Sequence, residues 1–193
     1  MALKKIGFDF DRVLIDYPPI VPYRVITFFY RYGLVPVKRN PHKLAYRVPE
    51  PVEQKIRLLT HFPIFRAPIL ENIDSLKKLH RQKDTQLYLI SGRFGFLEER
   101  TEELLAKYGL KKYFKKTFFN FQNMQPHEFK LLMIKKFDIN IFIDDDIEIL
   151  SYLSKKAPEL EYFWITPNTK SPSKKIIPIE NLEDFYIIYT KGQ

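Results

Sequence analysis

The chain has 193 residues, 45% of them apolar and 28% charged, which fits one domain, or one domain carrying a smaller insertion. That balance excludes a disordered tail, and no apolar run approaches the about 20 residues needed to span a bilayer. The absence of cysteine excludes a disulfide framework, a thiol nucleophile and thiolate metal sites, and the formal net charge is +9. No secretory h-region precedes the first apolar segment, so a cytoplasmic protein without a membrane role is the expectation.

In chain order, Leu3 to Phe10 reads as a buried strand, with Ile6, Phe8 and Phe10 alternating before the break at Asp11. The following segment, 17–66, changes composition. It holds nine Lys/Arg against Glu50 and Glu53, eight of the 14 prolines and nine of the aromatic residues. Most of the excess positive charge therefore belongs to fifty residues, while 1–16 is neutral. Val21–Gly33 and Glu50–Phe62 have helical apolar spacing within it.

Beyond it, Pro68–Gln82 reads as an amphipathic helix with proline in its first turn. Leu87–Ile90 is a short apolar strand, and Leu97–Tyr108 a charged helix ending at Gly109, a suitable C′ residue. Thr117–Phe119 reads as a strand, Pro126–Phe137 as a helix and Ile139–Ile143 as a buried strand. Ile147–Lys156 is another helix and Tyr162–Ile165 a further strand; from Pro172 onward the pattern is ambiguous. Short, uniformly apolar strands alternating with helices predict a parallel sheet covered on both faces, with ligands at the carboxyl ends of the strands.

Three strands end there in polar residues. Asp9 and Asp11, two apart, point the same way along an extended chain, and two repelling carboxylates do nothing for a strand that buries Ile6 and Phe8. Asp11 capping a turn is the structural alternative. Asp144-Asp145-Asp146 concentrates charge suited to a hard cation such as Mg2+, although one of the three also fits as N-cap of the next helix. Ser91-Gly92-Arg93 offers a hydroxyl, exposed N–H groups and a guanidinium, each able to bind a phosphate oxygen. Lys130, in the first turns of the helix before the fourth strand, could balance charge at the same edge, but alone it reads first as a solvated helix lysine.

Together these residues resemble the haloacid dehalogenase-like (HAD) hydrolase superfamily. Ile6-Gly7-Phe8-Asp9-Phe10-Asp11-Arg12-Val13-Leu14 is similar to its first motif and Leu89-Ile90-Ser91 to its second. Lys130 and the run to Asp144-Asp145 are similar to its third and fourth. The fourteen-residue step from Lys130 to Asp144, and Trp164-Ile165-Thr166-Pro167-Asn168, resemble the 5′-nucleotidase-like branch. The resemblance covers 3–16 and about 68–168. Arg12 departs from it, standing where glycine is common.

The resemblance implies a Rossmann-like three-layer α/β fold with a parallel sheet. The catalytic core would be 1–16 and 67–193, and 17–66 a small, basic, aromatic, mainly helical cap. It further implies a magnesium-dependent phosphatase that forms an aspartyl-phosphate. Asp9 would be the nucleophile, and Asp11 the acid and then the base, a role favouring a raised pKa. Asp9, Asp11 through its carbonyl, and Asp144 or Asp145 would hold the metal. Ser91, Gly92 and Lys130 would bind phosphate, and Arg93 and Arg12 the substrate. The expected substrate is a small phosphate ester such as a nucleotide. Nucleic-acid phosphate ends, or nucleic-acid binding through the basic cap without catalysis, are the alternatives, the last marked by steep salt dependence. In the cap, Phe28, Phe29 and Phe62 read first as its own core, and Arg24, Arg31, Lys38, Arg39 and Lys43 equally as a solvated face.

Overall fold

The computed structural model describes residues 3–17, 44, 46–167, 170–171 and 173–191. Its six strands are β1 (Lys4–Phe8), β2 (Thr85–Ser91), β3 (Lys116–Phe119), β4 (Ile141–Asp144), β5 (Glu161–Ile165) and β6 (Ile176–Ile179). They form one sheet in the order β3-β2-β1-β4-β5-β6, parallel throughout.

The helices that connect them are α1 (Pro51–Thr60), α2 (Leu70–His80), α3 (Glu98–Lys107), α4 (Pro126–Lys136), α5 (Ile147–Lys156) and α6 (Leu182–Lys191). Strand alternation sends Ile6, Phe8, Leu87, Leu89, Ile141, Ile143 and Phe163 into one apolar layer, where α2, α3 and α6 supply Leu76, Leu104 and Phe185. Tyr88, Ile90, Phe142 and Tyr162 point to the other, under Phe129 of α4 and Leu150 of α5. Apolar layers on both faces explain the uniformly apolar strands. This is the Rossmann-like three-layer arrangement expected from the sequence.

The differences have local causes. Leu97 begins as a 3-10 turn, Gly95–Leu97, before α3. Gly109 takes φ +59 just past α3, the left-handed conformation that glycine adopts without a Cβ penalty. The ambiguous tail holds β6 and α6; Pro178 masks the strand pattern, and it is tolerated because β6 is at the sheet's edge.

Of the segment expected to form a cap, only 17, 44 and 46–66 are described. The expected helix Val21–Gly33, with Phe28, Phe29, Arg24, Arg31, Lys38, Arg39 and Lys43, lies outside the described residues. The expected helix Glu50–Phe62 corresponds to α1, which starts at Pro51 in its first turn and buries no residue. Phe62 lies under the Arg100 guanidinium of α3, 3.8 Å from its ring centre; the segment 18–43, with which it is expected to pack, lies outside the described residues. Among the described residues no helix is long and apolar enough to cross a membrane.

Candidate active site

β1 is the point at which the sheet changes direction: β2 and β3 are added on one side, β4, β5 and β6 on the other. Such a switch point opens a crevice at the strands' carboxyl ends. Asp9 follows β1 directly and its N–H donates to Ile143 O at 2.9 Å, while Asp144 ends β4 next door. Both carboxylates are therefore fixed by the sheet ladder, and both are buried.

Lys130, from the first turns of α4, reaches between them. Its Nζ donates to Asp144 Oδ2 at 2.6 Å and lies 3.0 Å from Asp9 Oδ1. The second approach lacks hydrogen-bond alignment, so buried Asp9 Oδ1 is unsatisfied among the described residues. Lys130 compensates its charge, and the oxygen keeps lone pairs free for a further ligand. Burial pushes the Asp9 carboxyl up, Lys130 opposes this, and Asp144 adds to the rise. Asp144 is likewise raised by burial against the pull of Lys130. Burial draws Lys130 down, but Asp144 and Asp9 together hold it above the ordinary lysine range.

Asp9, Asp144 and Asp145 each present an oxygen within 4.8 Å of the others. Hard oxygen donors at this spacing, one of them unsatisfied, fit Mg2+. Asp146 stands apart from the trio. Its Oδ1 accepts from the N–H groups of Glu148 and Ile149, making it the N-cap of α5, and its Oδ2 accepts from Tyr46 Oη at 2.7 Å.

Asp11, expected at the metal through its carbonyl alone, has its carboxylate outside the acidic trio, held by two buried arginines. Arg93 Nε donates to Oδ2 and Arg93 Nη2 to Oδ1, both at 2.7 Å, and Arg66 Nη2 also donates to Oδ1. Burial alone would raise this carboxyl; Arg93 and then Arg66 outweigh it and hold Asp11 well below the usual carboxylate range. The expectation of a raised pKa at Asp11 is thus corrected: the neighbouring charges that decide it are cations, not acids. Arg93, expected on the substrate, is instead committed to Asp11 and to Thr101 Oγ1 at 3.0 Å, with its guanidinium over the Phe10 ring.

Ser91 closes β2, buried at the same edge. A Cβ at Gly92 would come within 2.8 Å of Pro126 Cβ, so the missing side chain is what lets the start of α4 approach the turn after Ser91 at Gly92. Arg12 takes φ +57, which explains why glycine suits its place, and its Nη1 reaches Asp145 Oδ2 at 3.1 Å. It helps line a cavity of about 300 Å3 with Asp145, Ile165, Thr166, Pro167 and Glu180. Sequence reasoning missed Arg66 and Tyr46. Tyr46 is clasped by Gln125, whose Oε1 accepts from Tyr46 N at 2.9 Å and whose Nε2 donates to Tyr46 O at 3.0 Å.

No protein-family model matches the sequence, and no curated protein matches it. Solved structures do. A predicted phosphatase from Clostridium acetobutylicum is 12% identical, with a TM-score of 0.63 over 99% of this chain and 100% of its own. The HAD-hydrolase YfnB from Bacillus subtilis, solved bound to magnesium, is 14% identical, with a TM-score of 0.61 over 98% and 100%. A haloacid dehalogenase-like hydrolase from Streptococcus pneumoniae is 12% identical, with a TM-score of 0.61 over 96% and 98%. With its parallel sheet in the order observed and these structures superposing over nearly their whole length, the chain has the fold of the haloacid dehalogenase-like hydrolases.

Proposed function

We propose that the chain is a magnesium-dependent phosphatase that hydrolyses a phosphate monoester through an aspartyl-phosphate on Asp9. The observation that carries this reading is the buried, unsatisfied Asp9 Oδ1 beside Lys130 at the sheet's switch point. A carboxylate oxygen met there by charge but by no aligned donor keeps lone pairs to bond elsewhere, and a carboxylate is a recognised covalent nucleophile.

Asp9, Asp144 and Asp145 would hold Mg2+, which supplies charge compensation between carboxylate and phosphate when bound. In the first half-reaction an Asp9 oxygen bonds to phosphorus as the bond to the leaving oxygen breaks. Lys130 and the Ser91-Gly92 turn position the phosphoryl oxygens and offset their charge, the main source of rate in phosphoryl transfer. In the second, a water oxygen bonds to phosphorus as the bond from the Asp9 oxygen to phosphorus breaks. Asp11, held as an anion by its arginines, orients that water by accepting its hydrogen bond, and the proton leaves with the released phosphate. Leaving groups stable as anions need no proton from Asp11. The small ester this arrangement suits is one whose leaving oxygen is stable as an anion, such as an aryl phosphate. A nucleoside monophosphate, on the Lys130–Asp144 spacing, is the second candidate and needs a proton donor to its leaving oxygen other than the arginine-held Asp11.

The test is a panel of phosphate esters with and without magnesium, comparing wild type with Asp9→Asn. Nucleotides, an aryl phosphate and an oligonucleotide with a terminal phosphate belong in it. Magnesium-dependent phosphate release by wild type alone is expected. Equal turnover by Asp9→Asn contradicts the nucleophile assignment.

A further inference from the structure

Arg66 and Arg93 arrive at Asp11 from different parts of the chain, 55 and 82 residues away, and both are buried. A carboxylate has about four lone-pair sites, two on each oxygen. Among the described residues, Oδ1 receives two guanidinium N–H groups and Oδ2 receives one, which leaves one acceptor site on Oδ2. Asp11 keeps a quarter of its side chain exposed.

We propose that Arg93 and Arg66 are positioning residues for Asp11, leaving its Oδ2 as the acceptor for the water that hydrolyses the aspartyl-phosphate. The inference rests on the phosphatase reading above. Arg93 is braced through its side chain and Arg66 through the backbone around it. Arg93 is fixed at its far end by Thr101, whose own hydroxyl donates to Leu97 O at 2.8 Å. Arg66 is held through its backbone: Tyr108 Oη donates to Arg66 O at 2.8 Å, and Asp16 N to Ala67 O at 2.8 Å. The fork of Arg93 sets the carboxylate plane, because bidentate pairing fixes orientation as well as distance. Arg66 then takes the second site on Oδ1. Two guanidinium groups around one carboxylate also leave a net positive charge beside the anionic intermediate.

A positioning role and a purely structural one differ in which half-reaction suffers. Loss of Asp11 orientation slows transfer of phosphorus from Asp9 to water more than transfer to Asp9 from an aryl ester, whose leaving group needs no proton. The experiment is rapid-mixing turnover of p-nitrophenyl phosphate with magnesium by Arg93→Met and Arg66→Met. The expected result is a p-nitrophenol burst near one per site followed by a steady rate lowered about 10- to 100-fold, the scale of a misplaced reacting group. Acid-quenched protein should carry correspondingly more phosphate. Arg93→Lys and Arg66→Lys keep the charge without the fork and serve where a methionine variant fails to fold; Arg93→Lys is expected to show the same burst, Arg66→Lys a smaller one. In an Asp11→Asn background neither arginine substitution should change the burst further.

Parallel falls in burst and steady rates, or additive effects with Asp11→Asn, would overturn the inference while leaving the phosphatase reading intact. Absence of any magnesium-dependent turnover by wild type would overturn both.

Discussion

Replacing Lys130 with methionine removes the ammonium held between Asp9 and Asp144, 3.0 and 2.6 Å away, while leaving both carboxylates buried. Breaking a buried pair by deleting one partner costs about 3–5 kcal/mol, because the remaining charge is uncompensated. The same figure follows from protonation. A carboxylate of ordinary pKa near 4 that must be neutral in the fold at pH 7 costs about 1.4 kcal/mol for each of about three pH units, or about 4 kcal/mol. The variant then binds about one proton more on folding than wild type, so its deficit shrinks as pH falls, by up to about 1.4 kcal/mol per pH unit. Urea unfolding followed by circular dichroism, without divalent cations, measures this at pH 8, 7, 6 and 5. A deficit of about 3–5 kcal/mol at pH 7 that narrows toward pH 5 is expected. A deficit below about 1 kcal/mol, or one constant across that range, would refute the reasoning.

The acidic trio makes a linked prediction. Burial, then Asp9, push Asp145 up to about 7, and Asp144 is raised too. A carboxyl raised on folding stabilises the fold below its unfolded pKa, and that stability is lost as pH rises through the folded value. The metal-free protein should therefore lose stability from about pH 4 to about pH 7, and magnesium, which must displace those protons, should raise Tm more at pH 8 than at pH 5.5. Asp145→Asn should raise the metal-free Tm at pH 8 and diminish the magnesium shift; an undiminished shift removes Asp145 from the metal set. Asp146→Ala removes the α5 cap and the Tyr46 contact, which should cost about 1–2 kcal/mol in urea unfolding yet leave the magnesium shift in place. Loss of that shift would move Asp146 into the site.

The strands and helices of the core were legible because a doubly covered parallel sheet writes itself as short apolar runs. The site was legible to the extent that its residues end those runs: Asp9, Ser91, Asp144 and Asp145 sit where an apolar strand stops. Lys130 gained meaning only from the others, since a helical lysine is usually solvated. Arg66 had no local signal. It reads as one more cation in a basic segment, and only the return of the chain from α1 to α2 brings it to Asp11. The pKa of Asp11 was missed for the same reason, since sequence shows the acids nearby and not the distant arginines. The end of the chain was obscured by Pro178 within an edge strand.

The central claim is that Asp9 is the nucleophile of a magnesium-dependent phosphatase, and its most direct measurement is the trapping of phosphate on the protein. Wild type quenched in acid during turnover of an aryl phosphate with magnesium should carry phosphate on Asp9, located by peptide mass, and Asp9→Asn should carry none and release none. Turnover by Asp9→Asn at the wild-type rate, or phosphate found on another residue, would contradict the account.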